Sequence, residues 1–126
     1  MNDNPINPYE QRQEHRLNTP LTIFIELAAA THNAAATIVI SKSLDISANG
    51  LRVITDHNLA TGSILSSCVQ SQDSTQQFIL ITEVKWVTPW QNTGEFLVGL
   101  ALFESEDSDI QAWKEFIAAQ CFDAEE

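Results

Sequence analysis

Thr37-Ile38-Val39-Ile40-Ser41-Lys42-Ser43-Leu44-Asp45-Ile46-Ser47-Ala48-Asn49-Gly50-Leu51-Arg52-Val53-Ile54-Thr55 is the stretch that decides the fold. It opens on β-branched residues, the signature of an extended strand. Asp45 to Gly50 then breaks the run, collecting polar side chains and a turn glycine where a core strand would carry Val or Ile. Leu51 to Thr55 resumes extended character. Two apolar strands flanking a polar turn make this a β-rich chain.

The same logic extends outward. Upstream, Ile23, Ile25 and Leu27 alternate with Thr22, Phe24 and Glu26, the pattern of a half-buried strand. Thr31-His32-Asn33 reads as the turn joining it to the next run, Ala36 to Ile46, in a hairpin. Downstream, Ser63 to Val69 is a short strand. Phe78 to Val87 is a long one, in whose second half Glu83 and Lys85 stand opposite Val84 and Trp86. Pro89 to Gly94 turns the chain into Phe96 to Phe103, apolar enough to be buried on both faces or to line a closed barrel.

The last element changes period. Ile110, Trp113, Phe116, Ile117 and Cys121 fall on one helical stripe, and Ser108 with Gln111 has the spacing of a capping box. Six short strands and one amphipathic helix predict an all-β barrel or sandwich with a C-terminal helix lying against it. Residues 1–10 are expected to be a flexible tail, 11–122 a single domain, and 123–126 an acidic tail.

Length and charge bound the function. A chain of 126 residues supports one domain with a real core. No apolar run is long enough to cross a bilayer and no signal-peptide pattern opens the chain, which predicts a cytoplasmic protein without direct membrane insertion. A net charge of −11 argues against binding a nucleic acid polymer, which needs a broad basic surface. It leaves room for a small anion held at one spot. The basic residues are Arg12, Arg16, Lys42, Arg52, Lys85 and Lys114, and four of these six lie in or near two short stretches, Arg12 to Arg16 and Asp45 to Gly50.

A search for chemistry narrows the choice. His15, His32 and His57 have no second His or Cys at ligand spacing, so no metal site is expected. Cys68 and Cys121 read as reduced, half-buried residues. No serine sits in a nucleophile elbow and no Gly-rich phosphate loop precedes a helix, so the chain reads as a non-enzyme with no cofactor. The two stretches read together as one anionic-ligand site, built from two ends of a sheet.

The order and separation of those stretches resemble the PilZ domain family of bacterial cyclic di-GMP receptors. Arg12-Gln13-Glu14-His15-Arg16 matches the family's R-x-x-x-R, and Asp45-Ile46-Ser47-Ala48-Asn49-Gly50 matches its [D/N]-x-S-x-x-G. Val84-Lys85-Trp86-Val87 and the late strand with Val98-Gly99-Leu100 and Phe103 follow in family order. The resemblance covers roughly residues 9–120. It implies a six-stranded antiparallel PilZ-like β-barrel with a C-terminal α-helix, binding cyclic di-GMP as a second messenger. By similarity, Arg12 and Arg16 clamp phosphates and guanine Hoogsteen edges, while Asp45 accepts from guanine N1–H and N2–H. Ser47 and Asn49 add contacts, and Gly50 allows a tight turn. Gln11 stands where members often carry a charged or bulky residue, and Asn49 where they often carry glycine; stoichiometry stays open between one ligand and a stacked pair. The resemblance further implies an N-terminal arginine segment that reorders on binding and signals to an unidentified protein partner. The alternative is a ligand-free PilZ-like protein-interaction module.

Overall fold

In a computed structural model, the structure describes residues 17–27, 37–73 and 75–125, with side chains as far as Gln120. Arg12, Arg16, His15, His32 and the Thr31–Asn33 turn lie outside the described residues. Six strands run in the order β1 (Leu21–Leu27), β2 (Thr37–Ile46), β3 (Gly50–Thr55), β4 (Ile64–Ser71), β5 (Gln77–Trp90) and β6 (Glu95–Leu102), followed by helix α1 (Ile110–Glu125). All pairings are antiparallel, and the sheet closes as β1-β2-β3-β6-β5-β4. The expected choice between barrel and sandwich thus falls to the barrel.

Alternation explains the wall. Ile23 and Ile25 of β1 point inward, as do Val39 of β2, Val53 of β3, Val69 of β4, Leu80 of β5 and Val98 of β6, all essentially inaccessible to solvent. The polar groups buried among them are hydrogen-bonded: Ser41 Oγ donates to the Ile23 carbonyl (3.1 Å), and Thr82 Oγ1 donates to the Leu65 carbonyl (2.9 Å) beside Ser67 Oγ (3.1 Å).

Two register shifts break the alternation. One lies between Ser43 and Asp45 of β2, the other between Val84 and Trp86 of β5. Each inserts one residue, Leu44 or Lys85, so the next side chain swaps faces. Ser43 faces Val53 on the inside, but Asp45 pairs with Arg52 on the outside. Val84 pairs with Leu100 inside, and Trp86 with Gly99 outside. The sequence had placed Trp86 on the face of Val84; the bulge reverses that, and Trp86 is 40% exposed. The strand also runs further than expected, since Pro89 and Trp90 still pair with Phe96 and Glu95 and the turn begins only at Gln91.

The barrel's entry and exit are stitched to its wall. Leu17 exchanges two backbone hydrogen bonds with Ile46, both 2.9 Å. Ser43 Oγ spans the gap between that pair and β1, accepting from Leu21 N and donating to the Thr19 carbonyl. After β6, Phe103 N donates to the Ile81 carbonyl and Asp109 N to that of Ile79, extending pairing along the part of β5 that β6 does not reach.

Helix α1 buries the predicted stripe of Ile110, Trp113 and Ile117, with Phe116 packed beside them. Phe78, Trp113 and Phe116 stack in a cluster with centroids 5.2–5.7 Å apart. The helix start is not the expected capping box. Ser108 Oγ donates to the Ser105 carbonyl and the Gln111 amide to Glu115, while Asp109 Oδ2 accepts from Ile79 N (2.7 Å) and ties the helix to β5. The helix runs on through Glu125, into the stretch expected as an acidic tail.

Trp113 also donates its indole N–H to the carbonyl of Ser47 (3.0 Å), joining the helix to the polar turn after β2. Trp113→Ala is expected to lower the unfolding free energy by roughly 3–5 kcal/mol in a urea titration, as for other large aromatic deletions. Trp113→Phe, which keeps a ring but loses that hydrogen bond, is expected to cost less.

Candidate functional site

The turn from β2 to β3 is built around Ser47. Its side chain is fully buried, and its Oγ accepts from the backbone N–H of Gly50 (3.1 Å) and Asn49 (3.3 Å). Ser47 N donates to the Gly50 carbonyl (2.9 Å), and the hydroxyl lies 3.3 Å from the same oxygen. The Asn49 carbonyl accepts from Leu102 N (3.0 Å), fixing the turn to the end of β6. Gly50 must lack a side chain, since a Cβ there would stand 2.6 Å from the Leu100 carbonyl oxygen. The motif is therefore a rigid corner held by its own hydroxyl, by β6 and by Trp113.

Beside this corner, four cross-strand neighbours form a row on the outer wall: Asp45, Arg52, Gly99 and Trp86. The Arg52 Nε–H reaches both Asp45 carboxylate oxygens at 3.0 Å, and an Nη2–H donates to Oδ2. The Asp45 side chain is only 7% exposed, whereas that of Arg52 is 39% exposed. The hydrogen bond to Asp45 is the main cause that raises the Arg52 pKa above its ordinary value; burial opposes it and the carboxylate's charge adds to it.

Gly99 leaves a gap that the Trp86 indole fills. A Cβ at Gly99 would meet indole atoms at 2.3–2.7 Å. The result is a shallow groove of about 170 Å³ whose lining includes Asn49, Gly50, Arg52, Lys85, Trp86 and Gly99. Lys85 stands 3.7 Å from Glu83 at its edge. Enclosed small-molecule pockets hold about 300–1,000 Å³, so this is a shelf on the barrel wall that needs a second wall to enclose a ligand. Hollows of about 350 and 550 Å³ lie between the β4–β5 turn and α1, but no residue of Asp45–Gly50 lines them.

Asp45, Ser47, Asn49 and Gly50 are thus brought together, and Arg12 and Arg16 fall outside the described residues. Arg52, Lys85 and Trp86 join the first four. Sequence reading singled out none of these three as site residues, although Arg52 follows Gly50 by two positions and the alternation of Leu51, Arg52 and Val53 already points it outward.

The sequence profile of the PilZ domain matches residues 10–119. The chain belongs to the PilZ domain family. That family consists of binding and effector modules rather than enzymes. No curated protein matches the chain. Among solved structures, the Bacillus subtilis inhibitor of motility MotI/DgrA is similar with a TM-score of 0.62 and 19% identity, over 89% of this chain and 52% of that one. Escherichia coli YcgR, solved in complex with c-di-GMP, is similar with a TM-score of 0.64 and 11% identity, over 91% of this chain and 48% of that one. The chain spans about half the length of both. At these identities the likeness is one of fold, and it agrees with the PilZ-like barrel and C-terminal helix.

Gly99→Ala tests the geometry of the shelf. The added methyl is expected to push the indole off the wall and move the Trp86 indole N–H resonance in an NMR spectrum, leaving that of Trp113 in place.

Proposed function

We propose that this PilZ domain is a receptor for cyclic di-GMP, acting by binding and not by catalysis. The observation that carries the reading is the placement of Asp45, Ser47, Asn49 and Gly50 at one rigid corner, opening onto a groove lined by a guanidinium, an ammonium and an indole. The ligand offers two phosphate charges and two guanine bases, and each has a complement here. Asp45 accepts from guanine N1–H and N2–H, which selects guanine over adenine. The exposed Trp86 face stacks a base, and Lys85 offers a charge to a phosphate. The turn around Asn49 and Gly50 lets the ligand approach the backbone closely.

Arg12 and Arg16 supply the second wall in this reading. Leu17 is fixed beside Ile46, the residue between Asp45 and Ser47. At ~3.3–3.6 Å per residue, the chain cannot carry Arg16 or Arg12 far from that anchor, so a ligand on the shelf is within their reach. Bidentate guanidinium contacts to phosphate and to guanine O6 and N7 then close the site from above. Ordering of this segment on binding would present a new surface to a protein partner, which is how a domain without catalytic groups passes on a signal. The same reading places the protein in the cytoplasm of a bacterium. Among the described residues, no helix is long and apolar enough to cross a membrane.

Calorimetric titration with cyclic di-GMP, alongside GTP and cyclic GMP, tests this. Saturable binding is expected for cyclic di-GMP alone, with its stoichiometry read from the same curve. Arg16→Ala is expected to abolish it. Asp45→Ala is expected to weaken it about 5- to 150-fold, the equivalent of one bidentate base contact at ~1–3 kcal/mol. Absence of binding at millimolar ligand would replace the receptor with a ligand-free interaction module.

A further inference from the structure

The carboxylate that would read guanine is already held by a group that looks like guanine. Guanine's Watson–Crick edge presents N1–H and N2–H, two parallel donors on an N–C–N unit that is itself a guanidine fragment. Arg52 presents the same fork to Asp45, its Nε–H and an Nη2–H aimed at the two carboxylate oxygens. We propose that Arg52 is an internal competitor for guanine on Asp45, so that the base binds by exchanging with this guanidinium; the inference rests on the receptor reading above.

Three features make the exchange physically reasonable. The Asp45 side chain is 7% exposed, so losing a donor fork is costly to its charge, and Arg52 supplies one while no base is present. Arg52 is much more open, at 39%, and its side chain has somewhere to go, because it also lines the groove shared with Lys85 and Trp86. The fork is also selective. A base that lacks paired N–H donors on that edge, as adenine does, cannot replace what Arg52 gives up. Competition thus raises the threshold for any ligand and raises it most for the wrong base.

The experiment compares cyclic di-GMP and cyclic di-AMP titrations of the wild type, Arg52→Met and Arg52→Met/Arg16→Ala. Methionine keeps the aliphatic stem and removes the fork. Arg52→Met is expected to bind cyclic di-GMP about tenfold more tightly, the scale of one charge-assisted hydrogen bond no longer surrendered. Its selectivity over cyclic di-AMP is expected to narrow, and the double variant to lose binding. In the wild type, the Arg52 Nε–H resonance is expected to be slow to exchange with solvent when free and to shift or vanish at saturation. Equal or weaker binding by Arg52→Met, or an Arg52 Nε–H signal unchanged at saturation, overturns the competitor while leaving the receptor standing. No binding by wild type or Arg52→Met overturns both, and binding by Arg52→Met alone supports the competitor in its strongest form. The Nε–H measurement is made on the unmodified chain, so it decides the matter even if the variants fold poorly.

Discussion

A barrel of six strands closes around its own side chains. Eight strands enclose an interior just wide enough for side chains to fill, and six enclose less. Ile23, Ile25, Val53, Leu80 and Val98 occupy this one. No ligand can enter it, so every functional group must stand on the outer wall or at a rim. The wall, however, is made of strands whose alternation is fixed by the need to fill the interior. The chain relieves that conflict with two bulges. Leu44 and Lys85 each add one residue, and by doing so they turn Asp45 and Trp86 outward without disturbing the alternation before them.

The corner at Ser47 converts this local rearrangement into a rigid platform. One buried hydroxyl serves two backbone N–H groups, and the same residue's carbonyl takes the Trp113 indole N–H. Trp113 belongs to the aromatic cluster that fastens α1 to Phe78 at the start of β5. The turn, the helix and the beginning of β5 therefore share one set of contacts. A distortion at the corner must be felt by the helix, which gives a site on the barrel wall a structural path to an element on the far side of the turn.

Period-2 patterns were enough to place the strands, because an inward-facing Val or Ile is dictated by the interior it fills. The period-3.6 stripe of Ile110, Trp113 and Ile117 placed the helix for the same reason. The motif at Asp45–Gly50 was legible because Asp, Ser and Gly do not belong in a core strand. The bulges were not legible. Leu44 between Ser43 and Asp45, and Lys85 between Val84 and Trp86, simply continue the alternation of polar and apolar residues, and an extra residue is defined by what the partner strand does, not by its own sequence. Hence Trp86 was assigned to the wrong face. Ser108 and Gln111 have the right spacing for a capping box, but the unpaired edge of β5 competes for the helix start, and Asp109 answers it. Arg52 was legible as a cation near the motif but not as a site residue, because its role depends on facing Asp45 across a shifted register.

Charge sets the last constraint. With a net −11, the protein's overall field repels an anion, and attraction must come from a few groups at short range. The two basic side chains lining the groove are both next to carboxylates: Arg52 on Asp45, and Lys85 at 3.7 Å from Glu83. The pairs are not equivalent. Lys85 is 54% exposed and its contact long, a pair worth little in water and easily redirected toward a phosphate. Arg52 makes a close side-on fork with a buried carboxylate, and releasing it gives up charge-assisted hydrogen bonds that a like fork would restore. In the proposed receptor, the shelf can therefore turn its ammonium to any anion that arrives, while its guanidinium is exchanged for a group with the donor geometry of guanine. On that proposal discrimination comes from the exchange at Asp45, and attraction from the cations around it.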